Sequence, residues 1–311
     1  MRLEVGIPVA QSRYVLVHYH IFKNGGTTIE YILEREFPGR FATLHGQGRD
    51  VVLDSRDLLQ FLRHHPAITA VSSHHLRYPK PLSRRTVFFD CCFLRDPLDR
   101  LLSSYGHFRR SNSDDPCSRW ARSYTPREFA TRLINEAPHL VTEVQVMQLA
   151  NGGVFTRPAS EHDLERATAV IRDMAIPGLV EMFDESLVVA EHYLRPAFPT
   201  LRLEYVPQNV GDPARRAPVK SREYWEDLWG KDLYARLLRM NEMDMELVLR
   251  ARREILRRLD GIPRMSEKVA DFQARCVRLA AASSRREAVR NPAPAVAAAE
   301  EAGSRRAAAG G

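Results

Sequence analysis

The sequence is short of cysteine, with four in 311 residues, and it has no long apolar run. Four cysteines, two of them adjacent at Cys91 and Cys92, make no disulfide framework of the kind that staples small secreted domains. No Cys/His spacing matches a zinc site, and no metal is expected. No stretch approaches the ~18 consecutive apolar residues that a membrane span requires. Met1–Arg13 lacks the apolar segment of a secretory signal, which points to the cytoplasm. A strong charge imbalance is also missing. The net charge is +7, and residues from Ser266 onward carry +3 of it. The body of the chain is thus mildly basic, which suits an anionic ligand without requiring one. Arg109, Arg110, Arg119 and Arg122 form a basic stretch. They belong to no recognisable nucleic-acid motif and are not interleaved with aromatics as in such modules, so no nucleic-acid partner is expected.

What is present is an ordinary globular composition, 44% hydrophobic and 27% charged, long enough to bury a sizeable core. Tyr14–Tyr19 reads as a first strand and Thr27–Phe37 as a helix, with Ile29, Ile32 and Leu33 on one face and Pro38-Gly39 as its stop. Val51–Arg63 reads as a second helix and Ala67–Ser72 as a short strand. Thr86–Leu94, apolar apart from Asp90, reads as a strand covered on both faces, so Cys91 and Cys92 should face opposite sides of a sheet. Pro97 then opens a helix at a position where its missing N–H costs nothing, with Asp96 as cap. Leu98, Leu101, Leu102 and Tyr105 form that helix's apolar stripe. Ser111–Ser123 reads as a polar loop. Further helices are expected at Pro126–Glu136, Leu140–Leu149, Glu161–Ala175, Glu185–Leu194 and across Tyr224–Arg258, the last with one long segment from Lys231. Gly178–Glu181 is a short strand candidate. From about Ala280 alanine and arginine dominate without apolar periodicity, which reads as a disordered tail. There is no internal repeat. The expected organisation is an N-terminal extension (1–13), an α/β domain with a mainly parallel sheet (14–265), and a C-terminal helix end with tail (266–311).

The stretch His20-Ile21-Phe22-Lys23-Asn24-Gly25-Gly26-Thr27-Thr28 places a lysine and a glycine turn between strand and helix. Amides of such a turn and of the helix N-terminus point at one spot, and the helix dipole adds to their pull on a phosphate or sulfate. The lysine precedes the glycines, the reverse of a Walker A loop, which disfavours an ordinary ATPase or kinase. Taken alone, the stretch also fits a plain Gly-Gly turn beside a solvated lysine. The second stretch is Arg95-Asp96-Pro97-Leu98-Asp99-Arg100-Leu101-Leu102-Ser103, which follows Lys23 at the end of the clearest strand. An arginine there offers a planar fork of donors to phosphate oxygens, although strand–Arg-Asp-Pro–helix alone is a common helix start.

Together the two stretches resemble the nucleotide site of sulfotransferases that use 3′-phosphoadenosine-5′-phosphosulfate (PAPS). The first is similar to that family's Lys-Thr-Gly-Gly-Thr loop, with Asn24 for threonine and Phe22 for a common proline, and His20 matches a frequent histidine. The resemblance extends through Gln145 (with Glu143 where asparagine is usual), Gly178–Leu187, Gln208-Asn209-Val210 and Asn241–Asp244, covering about residues 14–260. It is most similar to the Golgi-type and bacterial carbohydrate sulfotransferases, such as the heparan sulfate 2-O-sulfotransferase group.

The resemblance implies a P-loop-like three-layer fold, PAPS as donor with PAP as product, and no metal. It implies that Lys23, Asn24, Gly25, Gly26, Thr27 and Thr28 hold the 5′-phosphosulfate and that Arg95 and Ser103 hold the 3′-phosphate. Lys23 would also stabilise the departing phosphate. His74-His75-Leu76-Arg77-Tyr78 resembles a Gly-His-x-x-Tyr segment that carries a catalytic histidine, so His75 is the expected base and His74 the fallback. Arg77 and Lys80 follow closely and suggest a basic rim for an acidic acceptor, or simply a solvated basic loop. The acceptor is expected to be a small molecule or glycan. Two rivals remain open from sequence: a nucleotide-dependent kinase, which needs a Mg²⁺-holding carboxylate such as Asp90, and a non-catalytic polyanion binder.

Overall fold

The computed structural model describes residues 12–48, 51–153, 156–207 and 220–290. Its centre is a five-stranded sheet, β1 (Arg13–Tyr19), β2 (Phe41–Thr43), β3 (Ala70–Ser73), β4 (Thr86–Leu94) and β5 (Ile176–Leu179), in the order β2-β3-β1-β4-β5. Every pairing is parallel; Leu16 stands opposite Ala70 on one side and Phe89 on the other. The continuous apolar runs follow from this, because both sheet faces are covered. Val15, Val17, Cys92 and Leu94 pack on one face; Leu16, Cys91, Phe93 and Ile176 pack on the other. The two adjacent cysteines thus point to opposite layers, both buried and reduced.

The chain leaves β1 through α1 (Gly26–Glu36) towards β2, whereas it leaves β4 through α3 (Pro97–Arg110) on the way to β5. The connections from these two neighbouring strands diverge, so a crevice opens beyond their carboxyl ends, where ligands bind in open α/β sheets. The Lys23 and Arg95 stretches singled out in the sequence both sit at this switch point.

The remaining helices are α2 (Ser55–His64), α4 (Pro116–Ser123), α5 (Pro126–Glu136), α6 (Val144–Ala150), α7 (Glu161–Asp173), α8 (Phe183–Leu194), α9 (Arg222–Trp229), α10 (Lys231–Arg239), α11 (Glu242–Asp260) and α12 (Met265–Arg290). A third apolar cluster joins α3, α5, α9 and α10 around Leu101, Phe129, Trp225 and Trp229.

Several expectations are corrected. The polar stretch Ser111–Ser123 is half helix, since Asp115 caps α4 and Pro116 occupies its first turn. The expected long helix from Lys231 breaks at Met240-Asn241, where α11 starts afresh. Leu140–Leu149 is a helix only from Val144. The C-terminal helix does not end near Ala280 but runs to Arg290, and it is anchored rather than peripheral. Phe272 on α12 is fully buried, Gln273 bonds Asp184, and Arg275 forms ion pairs with Glu191, Glu204 and Asp271. The tail beyond Arg290 and the Gln208-Asn209-Val210 match lie outside the described residues.

Candidate active site

The loop after β1 is tightly curled: Lys23 (φ 68°) and Gly25 (φ 77°) both lie in the left-handed region. Glycine adopts that conformation freely, whereas lysine there is strained, a feature that clusters at functional loops. No side-chain hydrogen bond caps α1 among the described residues, so the N-terminal end of the helix is presented to the crevice. Asp96 caps α3 through the amides of Leu98 and Asp99, which fixes Arg95 at the strand end. Arg95 Nη1 donates to the Lys23 carbonyl at 3.2 Å and so ties the two loops together.

Asn24 and Gln145 lock this junction from behind. Asn24 Nδ2 donates to the Phe93 carbonyl and to Gln145 Oε1, both at 2.8 Å. Gln145 in turn brackets the Arg95 backbone: Oε1 accepts its N–H at 2.9 Å and Nε2 donates to its carbonyl at 2.8 Å. Behind Gln145, α6 and α11 cap each other. Asp244 accepts the amides of Gln145 and Val146, while Glu143 accepts those of Met243 and Asp244. Burial, with the nearby Asp244 charge, pushes the Glu143 carboxyl up to about 7.

Between the loops lies a cleft of about 660 Å³, a size that suits a nucleotide-scale ligand. Lys23, Gly25, Gly26, Thr27, Thr28, Arg95 and Ser103 all line it. Asn24 does not; its buried side chain holds the loop instead. On the same side α3 presents His107 and Arg110, and across the cleft stand Phe183 and Tyr205. The cleft is crowded with positive charge. Burial, then the charges of Arg95 and Arg110, lowers Lys23 to about 8. Among the described residues the only lining carboxylate is Asp99, which is already paired with Lys220. Arg95 Nε is buried with no hydrogen-bond partner among the described residues. An orphaned guanidinium N–H beside an uncompensated lysine fits an anion with several oxygens.

The histidines lie at one end of the cleft. His20 and His74 line it, with their rings stacked at 3.6 Å. His74 Nδ1 donates to the His20 carbonyl at 3.2 Å, which leaves Nε2 as the lone-pair nitrogen of the neutral ring. Burial, then the His20 charge, lowers His74 to about 4. His75 does not line the cleft. Its Nδ1 accepts the Gly46 N–H at 2.8 Å, so the neutral ring carries its proton on Nε2 and has no open acceptor. Arg77 and Lys80 are not brought into the cleft either. Arg77 Nη1 donates to the carbonyls of His74 and Leu76, and Lys80 forms an ion pair with Asp90 at 2.9 Å. Asp90 also accepts from Tyr78 Oη and the Ala175 amide, so the carboxylate that a kinase reading would need is committed within the sheet.

A feature that sequence reasoning missed stands behind His20. Glu30 on α1 accepts from His20 Nδ1 at 2.9 Å and from Ser72 Oγ at 2.8 Å, and Ser72 Oγ bonds His18 Nδ1 at 2.9 Å. The histidine and carboxylate atoms of this group, its histidines buried and Glu30 half-buried, lie within 4.8 Å of one another, joined by these hydrogen bonds. Burial pushes the Glu30 carboxyl up, but the hydrogen bond and charge of His20, with the Ser72 hydroxyl, bring it down to about 2. Nothing in the ten-residue spacing of His20 and Glu30 marks them as partners; only the turn between strand and helix brings them face to face.

The model of the Sulfotransferase family matches residues 9–247 of this chain. An uncharacterized protein of Archaeoglobus fulgidus is 28% identical over 244 residues, which cover 76% of this chain and 95% of that one. Among the described residues no helix is long and apolar enough to cross a membrane.

Proposed function

The chain belongs to the sulfotransferase family, and on that footing we propose that it moves the sulfuryl group of PAPS to a hydroxyl of a carbohydrate acceptor. The observation that carries this reading is the cationic pair at the switch point: Lys23 and Arg95, following adjacent parallel strands and joined by a hydrogen bond, with Arg95 Nε unpartnered among the described residues although the Glu181 carboxylate lies nearby. A ligand with a 5′-phosphosulfate and a 3′-phosphate presents anionic oxygens to both.

In this reading Lys23 and the amides at the start of α1 bind the 5′ end. Arg95 and Ser103 bind the 3′-phosphate. The acceptor oxygen forms its bond to sulfur as the bond from sulfur to the bridging phosphate oxygen breaks. The electron pair stays on that oxygen, where Lys23 neutralises it. The acceptor proton passes to His74 Nε2. His74 is preferred over His75 because it lines the cleft and its Nε2 is left as acceptor, whereas His75 Nδ1 is occupied by Gly46. The cation left for an acidic acceptor is Arg110 rather than Arg77 and Lys80, with His107, held below the usual histidine range by burial and by the Lys23 and Arg110 charges, as a neutral neighbour.

The test is calorimetric titration with PAP, the desulfated product, followed by transfer from radiolabelled PAPS to a panel of sugars. Micromolar binding that Arg95→Ala and Lys23→Ala weaken at least tenfold is expected. A folded protein that ignores PAP but turns over ATP with Mg²⁺ would replace this reading with the kinase one.

A further inference from the structure

We infer that Glu30, half-buried, and His20, buried, form a positioning couple for the proton acceptor, with Glu30 acting on His74 through the His20 ring. The inference rests on the sulfotransfer reading, in which His74 is the base.

The geometry is a ladder. Glu30 Oε1 holds His20 Nδ1 at 2.9 Å, the His20 ring stacks on His74 at 3.6 Å with 30° between planes, and the His20 carbonyl takes the His74 Nδ1–H. His74 is therefore fixed twice by one residue, by ring and by backbone. The couple is itself anchored by Ser72, which donates to the same Glu30 oxygen. At its other edge the His20 ring abuts Gly26, the start of α1.

A merely structural stack needs no carboxylate. An apolar ring behind His74 would fill the space without the cost of taking an anion from water. A carboxylate one ring removed from the base does something an apolar filler cannot: it stabilises the imidazolium that His74 becomes when it takes the acceptor proton. The groups facing His74 are His20, His18 and Glu30 from the β1–α1 side, His45 at 6.2 Å, His75 and Arg77 on its own segment, and Lys23 in the shared cleft. Among these described groups Glu30 alone is anionic. Burial holds His74 down, and Glu30 is the charge that draws it back up.

Glu30→Gln is the discriminating variant, because the amide oxygen can accept from both His20 and Ser72 while the charge is gone. PAP binding should persist and KM for the acceptor should change little. The kcat should fall about tenfold, and the acid limb of its pH profile should move about one unit lower. The same downward shift should appear when the His74 ring is titrated by NMR in nucleotide-free protein, a readout that needs no turnover. Wild-type spectra should show a proton on Nδ1 of both His20 and His74. An unchanged His74 titration in Glu30→Gln, or a His20 Nδ1 without a proton, overturns the inference even if the variant is poorly folded or the acceptor is unknown. Loss of PAP binding by the wild-type protein counts against the sulfotransfer reading and leaves the His74 titration to decide the couple.

Discussion

The Nε2 atom of His20 lies 1.8 Å from where a Cβ on Gly26 would sit. Residue 26 is thus held to glycine by a ring, not by its own backbone angles. The ring cannot step aside cheaply, since Glu30 grips its other nitrogen. Gly26→Ala should cost about 1–3 kcal/mol, typical of overpacking a filled site, and should weaken PAP binding by misplacing the start of α1. Thermal melts and calorimetry read both effects. The double variant with His20→Ala should regain much of the lost stability, and failure to regain any would disprove the steric cause.

Lys23 predicts a pH dependence of binding. Its ammonium is held down to about 8 by burial and by the Arg95 and Arg110 charges. A lowered lysine loses its charge as pH rises through that value, so PAP affinity should fall above pH 8 in the free protein's titration. Calorimetry from pH 7 to 9.5 should show the decline, and Lys23→Arg should flatten it because arginine stays charged. Equal slopes in the two proteins would assign the effect elsewhere.

How much of this was legible in the sequence depends on how local the cause is. The strand β4 and the cap Asp96-Pro97 follow from neighbouring residues, and they were read correctly. β2 was missed because Phe41–Thr43 is only three residues at a sheet edge, two half-buried and Thr43 exposed. The break before α11 has a local cue in Asn241, its N-cap, within the Asn241–Asp244 stretch that resembles the opening of the family's last helix, but apolar periodicity from Lys231 runs through it. The new helix starts where Glu143, a hundred residues away, accepts its first amides. Continuation of α12 past Ala280 reflects the high helix propensity of alanine and arginine, which a search for apolar periodicity overlooks. In the candidate site, the Lys23 and Arg95 stretches were legible as motifs, and the structure brings both to one cleft. The partners of Lys80 and of His20 were not, because Asp90 and Glu30 meet them only through folding.

Asn24 supplies a third prediction. Its amide donates to two acceptors, the Phe93 carbonyl and Gln145 Oε1. Asn24→Asp would set an acceptor against two acceptors in a buried place and should cost about 3 kcal/mol. Asn24→Ala removes the bonds without adding the repulsion and should cost about 1–2 kcal/mol. Urea unfolding of both variants measures the order. An aspartate variant as stable as the alanine one would mean that the junction relaxes around residue 24.

Acid should destabilise the protein in two stages. Burial holds His18 and His74 below 6.5, His74 at about 4, so the unfolded chain takes up protons that the folded one refuses as pH falls below 6.5. Stability is therefore lost on that descent, on the order of 3 kcal/mol for His74 alone. Glu30 acts lower. Its carboxyl sits at about 2 when folded against 4.5 when free, so its contribution is present above 4.5 and disappears as pH falls towards 2. Denaturation midpoints at pH 7, 5.5 and 4 should fall steadily. His74→Leu should show a shallower slope over that range, and an unchanged slope would remove His74 from the account.

The back wall of the cleft also has a consequence for the order in which the molecule is made. Asn24 bonds a residue 121 positions later, and Gln145 bonds one 99 positions later still. A chain leaving the ribosome amino-terminus first displays both the Lys23 and the Arg95 loops long before Asp244 exists to cap α6. Until then Gln145 lacks the support that aims it at Arg95, and the two cleft loops lack their clamp. The enzyme's ligand therefore meets a finished pocket only after α11 has been synthesised and docked. Such long-range closure makes for slow folding, so truncated or stalled chains should carry the motifs without the grip.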